Sequence, residues 1–165
     1  MFVPFNSLPD AARVWIYQSE RKLSELEKST ISASLQSFTN QWTAHNQPLK
    51  ASFIIRYDQF IVLAVDESYT EASGCSIDSS VAVIRQLSNQ LKVDFFNRTT
   101  VAFYIDGQVS TLAMADLKSK YEEVFWSGET IVMDNTVPTK AAFDTGWMRK
   151  ANETWLKRYL SKATV

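Results

Sequence analysis

Cysteine, histidine, glycine and proline are all scarce in this chain. Its 165 residues include one Cys, one His, four Gly and four Pro. A lone Cys excludes an internal disulfide, and one Cys with one His cannot form the usual four-ligand zinc site. Few Gly and Pro argue against long flexible linkers. We therefore expect a single domain over residues 1–165, with no metal site and no cofactor.

The chain also lacks a large net charge and long apolar runs. With 17 basic and 18 acidic residues the formal net charge is −1, so there is no broad attraction for nucleic acid or an anionic membrane. The best apolar run, residues 60–65, is too short to cross a bilayer. The first ten residues, MFVPFNSLPD, lack the basic region of a signal peptide. These absences favour a cytoplasmic protein with neither nucleic-acid nor membrane partners.

The glycine positions exclude the common nucleotide-binding loops. None of the four glycines precedes a lysine, as a Walker A loop requires, and their spacing excludes G-x-G-x-x-G and G-x-S-x-G; they are Gly74, Gly107, Gly128 and Gly146. A phosphate site, if present, must therefore be built differently.

Aromatic and aliphatic residues are abundant and predict a real core. The chain is 45% hydrophobic and 13% aromatic. Ser24 and Glu27 fit a capping box, and the stripe Ile31, Leu35, Phe38 and Trp42 predicts an amphipathic helix over residues 24–45. Asp106-Gly107 predicts a type I′ turn between strands 100–105 and 108–112.

The remaining segments complete the predicted fold. β-branched and aromatic runs predict strands at 14–17, 51–57, 60–66 and 130–133, and apolar spacing predicts helices at 76–91, 115–124, 140–145 and 153–161. Adjacent hairpins with helices between them indicate an α+β fold. We expect a mainly antiparallel or mixed sheet of about six strands with about three principal helices packed on it.

Residues 73–80 are the most informative segment. Gly74 permits a tight turn and Ser76 is a natural N-cap, so Cys75 would lie where free amides favour a thiolate. A small anionic ligand could bind the same helix N-terminus through Ser73, Gly74, Cys75, Ser76 and Asp78, although the Asp78 carboxylate opposes both an anion and a thiolate. A simple helix cap with a buried Cys75 is the third alternative.

His45 is the only histidine in the sequence, so it is the only imidazole that could act as a base for Cys75. It would lie at the C-terminal end of the predicted helix 24–45, where the dipole favours its protonated form. A nucleophilic site would use Cys75 as nucleophile, His45 as base and Asp66 as the group that orients His45. A capping histidine is the plainer interpretation.

Two charged clusters complete the candidates. Asp66, Glu67, Glu71 and Asp78 lie close in sequence and could hold a divalent metal, but a solvated loop is the simpler interpretation. Basic and aromatic residues alternate near the C-terminus, a mixture that can bind single-stranded nucleic acid but that also forms the wet face of a core helix; they are Trp147, Arg149, Lys150, Trp155, Lys157, Arg158, Tyr159 and Lys162.

Several segments resemble one family of short bacterial proteins, commonly labelled "ABC transporter ATPase". They are SLPDAARVWIYQSERKL, QWTAHNQPLKASF, YDQFIVLAVDE, ASGCSIDSSV and TWLKRYL, and the similarity extends over nearly the whole chain. The resemblance implies a shared cytoplasmic α+β fold and a common site for His45 and Cys75, but no particular reaction. Since Walker A and LSGGQ motifs are both missing, we expect no hydrolysis of the ABC type.

The expected function is small-ligand binding or regulation through the 66–80 loop and the following helix N-terminus. A thiol-dependent enzyme using Cys75 and His45 is the first alternative. The second is a protein-interaction module whose exposed aromatic side chains, such as Phe5 or Trp147, contact a partner.

Overall fold

The computed structural model describes residues 1–161 and has an α+β fold, as expected. The α-helices of this part of the chain are α1 (Glu25–Gln41), α2 (Gly74–Leu91), α3 (Leu117–Glu122) and α4 (Lys140–Gly146). Its strands are β1 (Arg13–Gln18), β2 (Thr43–Ala44), β3 (Gln47–Pro48), β4 (Lys50–Arg56), β5 (Phe60–Asp66), β6 (Thr100–Ile105), β7 (Gln108–Ala113), β8 (Ile131–Met133) and β9 (Met148–Lys150).

Two compact units make up the chain. The first unit contains residues 1–97 and 138–144, and the second contains residues 98–137 and the described residues from 145 onward. Each unit has its own sheet and its own apolar core. One domain over residues 1–165 stays a prediction.

The first unit is built on a three-stranded antiparallel sheet in the order β1-β5-β4. Strand β5 is central and buried along its length up to Asp66, as its unbroken apolar sequence predicts. Ile31 and Leu35 of α1 join Ile84 and Leu87 of α2 in a buried cluster around Ile61 of β5. The stripes that predict these two helices therefore form the core.

Helix α1 ends earlier than its apolar spacing predicts. The predicted helix 24–45 stops at Gln41, because Trp42 adopts an extended conformation and β2 and β3 follow as a short antiparallel hairpin. His45 and Asn46 have φ angles of 50° and 61°, which suit a type I′ turn and not a helix. The prediction that His45 lies at a helix C-terminus is wrong.

The second unit contains a four-stranded antiparallel sheet in the order β7-β6-β8-β9. Asp106 and Gly107 have φ angles of 52° and 75°, so the predicted type I′ hairpin is confirmed. Trp126 is 1% exposed, and its indole packs against Phe103 and Tyr121. Strand β9 was not expected from the sequence.

Helical segments of the second unit are shorter than predicted. The predicted helix 115–124 is a 3₁₀ turn at Met114–Asp116 followed by α3, and Val124, the last residue of the predicted helix, lies outside α3 and is 81% exposed. The predicted helix 153–161 is a 3₁₀ helix, Trp155–Tyr159. Residues 162–165, including the basic Lys162, lie outside the described part.

The prediction of one sheet of about six strands is wrong. Within residues 1–161 there are nine strands in three antiparallel sheets, one of them the β2–β3 hairpin. Local turn signals identify each hairpin, but they carry no information about which hairpins share a sheet. No helix in the described chain is long and apolar enough to span a bilayer.

Candidate functional site

The N-cap of α2 lies three residues before the predicted one, Ser76. Ser73 is the N-cap, and its hydroxyl accepts a 3.1 Å hydrogen bond from the Ser76 amide. Ser76 is buried inside the first turn, and its own hydroxyl donates to the Ser73 carbonyl at 2.8 Å. Ser76 as the N-cap is therefore wrong, and both hydroxyls are used within the helix start.

This shift changes the electrostatics of the first turn. With Gly74 as the first helical residue, Asp78 belongs to the second turn, and the first turn contains no carboxylate. The main-chain N–H groups of Gly74 and Cys75 form no hydrogen bond within residues 1–161, and both residues are exposed. Two free amides thus point outward at the positive end of an 18-residue helix.

Cys75 is a free, exposed thiol and not the buried side chain of the third alternative. Its main-chain carbonyl accepts a 2.9 Å hydrogen bond from the Ser79 hydroxyl. A cap with a buried cysteine is therefore excluded, and the thiol lies in solvent beside the two free amides.

The hairpin that carries His45 packs against this first turn. The indole Nε1 of Trp42 donates a 2.9 Å hydrogen bond to the Ser76 carbonyl, and β2 contacts α2. His45 is exposed in the hairpin turn. No hydrogen bond or ion pair joins the His45 side chain to Cys75 within residues 1–161, so the fold brings the two segments together without linking the two side chains.

The Asp66 carboxylate accepts hydrogen bonds from the loop that directly follows it. Its Oδ1 accepts hydrogen bonds from the Ser68 amide at 2.9 Å and the Ser68 hydroxyl at 2.5 Å. Glu67 closes the same loop by accepting from the Ala72 amide at 2.8 Å. The described residues contain no hydrogen bond between Asp66 and His45, so the geometry lacks the orienting contact that the nucleophilic hypothesis requires.

No group of three or more His, Cys, Asp or Glu side chains among residues 1–161 is placed to hold a metal ion. The carboxylates of residues 66–78 are separated by their local roles. Glu67 also lies 3.8 Å from the Arg13 guanidinium, whereas Asp78 is exposed on the helix surface. A solvated loop accounts for this acidic cluster.

The aromatic residues expected to contact a partner are buried. Phe5 is 7% exposed and packs against Phe143, and Trp147 is 4% exposed with its indole donating to Asn135. These residues therefore cannot present an interaction surface, which corrects the sequence expectation. Trp155 is 43% exposed and stacks under the Arg158 guanidinium at 4.7 Å.

Two of the basic residues near the C-terminus form ion pairs with carboxylates. Arg149 lies 3.5 Å from Asp134 and 3.8 Å from Glu153, and Lys150 lies 2.7 Å from Glu129. These carboxylates lower the local positive potential on which binding of nucleic acid depends. The absence of a nucleic-acid partner stays a prediction.

An open surface cavity at the other end of α2 is not predicted by the sequence. It has a volume of about 320 Å³ and is lined by Glu20, Arg85, Ser88, Asn89, Lys92, Val93, Asp94 and Phe96. Arg85 lies in the C-terminal half of α2 and Lys92 is its C-cap, in a left-handed conformation, so no helical spacing links the two cations. Glu20 and Phe96 come from separate segments, and periodicity could not have placed them there.

Comparisons with protein-family models, with curated proteins and with solved structures found no match to this chain.

Proposed function

We propose that this protein is a small-ligand-binding or regulatory domain that holds an anionic group at the N-terminus of α2. One observation carries the proposal: Gly74 and Cys75 are exposed, their N–H groups have no acceptor among residues 1–161, and the first turn of α2 has no carboxylate. Amides in this position donate to phosphate or carboxylate oxygens, and the helix dipole favours the negative charge.

The surrounding contacts support a preformed site. The Ser73 cap and the Trp42 hydrogen bond to Ser76 fix the first turn from two sides. The contact between Glu67 and Ala72 holds the preceding loop closed. A ligand would therefore meet amides that are already oriented, which lowers the entropic cost of binding. The cytoplasmic location and the family resemblance remain part of this proposal.

A thermal-shift panel tests whether any ligand class binds. Inorganic phosphate, nucleoside mono- and diphosphates, and small carboxylates such as citrate are the probes. We expect one class to raise the melting temperature in a concentration-dependent way, because a ligand that binds only the folded state stabilises it. A flat response to every anion would contradict the proposal.

Two substitutions at Gly74 locate the site. Gly74→Pro removes one free N–H at the first helical position, where proline is tolerated, and an added Cβ there meets no atom within 4 Å. Gly74→Ala keeps the N–H and is the matched control. We expect proline to weaken binding about tenfold, the usual worth of one charge-assisted hydrogen bond, and alanine to preserve it. Equal affinity in both variants would place the ligand elsewhere.

A thiol-dependent enzyme is the second candidate, favoured by the exposure of Cys75 and by the packing of the His45 hairpin against its helix turn. The test is the rate of alkylation of Cys75 by iodoacetamide across pH, in the parent and in His45→Ala. An assisted thiol would react faster than glutathione near neutral pH and would lose that advantage without His45. Matching profiles for the parent, the variant and glutathione would reject this candidate.

A further inference from the structure

The open cavity at the C-terminal end of α2 lies entirely within the first unit. Its walls come from three segments: the last turns of α2, the following residues 92–96, and Glu20 just after β1. Its volume of about 320 Å³ is at the small end of the range of ligand pockets, about 300–1,000 Å³. It has room for a small metabolite.

Local hydrogen bonds build the wall of the cavity in advance. The Ser88 hydroxyl donates to the Val93 carbonyl and accepts from the Phe95 amide, at 2.5 and 3.1 Å. Asp94 accepts from the Phe96 amide at 2.8 Å through Oδ1. These contacts fix the main chain of the segment after α2, which forms one wall of the cavity.

Arg85 is held in place by an aromatic ring. Its guanidinium lies 4.3 Å from the centre of the Phe96 ring, and Phe96 packs edge-on against Tyr17 at 5.7 Å. Stacking occupies the face of the guanidinium and leaves the N–H groups at its edge free to bind a planar anion. Arg85 forms no hydrogen bond or ion pair within residues 1–161, so all its donors are available.

Charges of both signs surround the cavity without neutralising one another. Arg85 and Lys92 are cationic, Glu20 and Asp94 are anionic, and no ion pair within 4.0 Å joins any of them in the described chain. A simple anion would be repelled by the two carboxylates, and a simple cation by the two bases. A ligand with both charges satisfies all four groups.

We infer that this cavity binds a small zwitterion of the α-amino-acid class. Its carboxylate lies on the guanidinium edge of Arg85, supported by Lys92, and its ammonium lies near Glu20. Asn89 also lines the cavity and supplies an amide for a polar side chain of the ligand. The site is separate from the anion site, because an 18-residue helix places its two ends about 26 Å apart.

Calorimetry and amide chemical shifts test the inference with simple probes. L-Alanine and L-glutamine supply both charges, acetate supplies only the anion, and methylammonium supplies only the cation. We expect saturable binding of at least one amino acid, with shifts at Arg85, Asn89 and Lys92 and weaker responses to both half-ligands. Absence of saturable amino-acid binding at millimolar concentrations, or acetate binding as tightly as the amino acids, overturns the inference.

Substitutions test which side chains bind the carboxylate and the ammonium group of the ligand. Arg85→Gln and Glu20→Gln each remove one charge, and each should weaken amino-acid binding about tenfold. Arg85→Lys keeps the charge without the fork of donors and should bind with intermediate affinity. Arg56→Gln, an exposed change outside the cavity, is the matched control and should bind like the parent. Unchanged affinity in both Arg85→Gln and Glu20→Gln would overturn the assignment.

The same titration in Gly74→Pro separates this site from the proposed anion site. Amino-acid binding should be unchanged in that variant, since the altered amide is at the opposite end of α2. If Gly74→Pro abolishes amino-acid binding, the ligand occupies the helix N-terminus and the cavity inference fails.

Discussion

The indole of Trp42 ties the residue that follows α1 to the first turn of α2. Its Nε1–H donates a 2.9 Å hydrogen bond to the main-chain carbonyl of Ser76, across 34 positions of sequence. Trp42 is 3% exposed, and its ring packs against Phe38 and Trp15 at centroid distances of 5.0 and 6.1 Å. The position of the proposed anion site therefore depends on a residue outside α2.

Replacing the Trp42 indole should destabilise the first turn of α2 and the protein as a whole. In Trp42→Phe the ring is partly retained but the N–H is lost, so we expect a loss of at least about 1 kcal/mol in the free energy of unfolding. Urea denaturation measures it. Trp155→Phe is the matched control, because Trp155 is 43% exposed and should change stability by less than about 0.5 kcal/mol. Equal losses in both variants would mean that the buried hydrogen bond contributes nothing.

The start of α2 yields a second prediction. Ser73→Ala removes the N-cap acceptor for the Ser76 amide and should destabilise the protein by about 1 kcal/mol. Ser79→Ala is the control, since Ser79 is exposed inside the helix, where alanine has the higher propensity. We expect urea midpoints to fall for Ser73→Ala and to stay nearly level for Ser79→Ala. A larger loss in Ser79→Ala would contradict the observed cap.

Local signals in the sequence predicted local structure well. Ser24 and Glu27 form the predicted capping box, with reciprocal hydrogen bonds at 3.1 and 2.9 Å. Asp106-Gly107 forms the predicted hairpin turn. Both depend on backbone groups within a few residues, so the chemistry of the segment alone determines them.

The sequence does not define the ends of a helix where neighbouring residues carry the same local signal. Ser73 and Ser76 can each cap a helix, and only the observed hydrogen bonds select Ser73. Trp42 continues the apolar spacing of α1 but is buried from an extended conformation. The Trp42 indole finds its hydrogen-bond partner in another segment, at the Ser76 carbonyl, and helical periodicity carries no information about such a partner.

The sequence predicts a candidate residue correctly when its role depends only on its place within a helix. Gly74 and Cys75 were predicted at a helix start and are there. The Asp66 carboxylate instead satisfies its own loop. The cavity joins Glu20 to α2, and such long-range juxtaposition follows from the tertiary fold alone.

The turn that holds His45 yields a third prediction. His45 has a φ angle of 50° at the first position of a type I′ turn, where asparagine is favoured. We expect His45→Asn to raise the free energy of unfolding by about 0.5 kcal/mol, because asparagine adopts this left-handed conformation more readily. His45→Val is the opposing control and should destabilise the turn. A thermal melt of the two variants measures both, and a loss of stability in His45→Asn would show that the imidazole itself stabilises the fold.

The end of α3 yields a fourth prediction. Val124 has a φ angle of 60° and is 81% exposed. Its amide bonds to the Tyr121 carbonyl, and the Phe125 amide bonds to the Lys120 carbonyl, at 3.0 and 2.9 Å. This is a Schellman motif with valine at the position usually occupied by glycine.

A β-branched residue is strained in this conformation, and its side chain gains little by burial. Val124→Gly should therefore stabilise the protein by about 1 kcal/mol. Val124→Ala keeps a Cβ and should gain less. Urea denaturation followed by tryptophan fluorescence reports the change, because Trp126 lies in the core of the same unit. A loss of stability in Val124→Gly would indicate that the exposed valine makes contacts worth more than its strain.

The capping box of α1 yields a pH prediction. Hydrogen bonds from the Arg21 guanidinium, followed by the Ser24 amide, lower the pKa of Glu27 from 4.5 to about 2. Because the pKa is lower in the folded state, ionised Glu27 contributes stability that is fully present above pH 4.5. That contribution is lost as the pH falls toward 2.

Glutamine can keep the capping-box acceptor but loses the charge that pairs with Arg21, so Glu27→Gln should destabilise the protein at pH 7 by up to about 1 kcal/mol. The difference from the parent should shrink below pH 4.5 and vanish near pH 2. Glu25→Gln is the control, because the Glu25 side chain is 91% exposed and, within residues 1–161, forms an ion pair with Lys28 alone. Thermal melts across this pH range measure both variants. A Glu27→Gln difference that stayed constant with pH would show that the lost contacts do not depend on the ionised carboxylate.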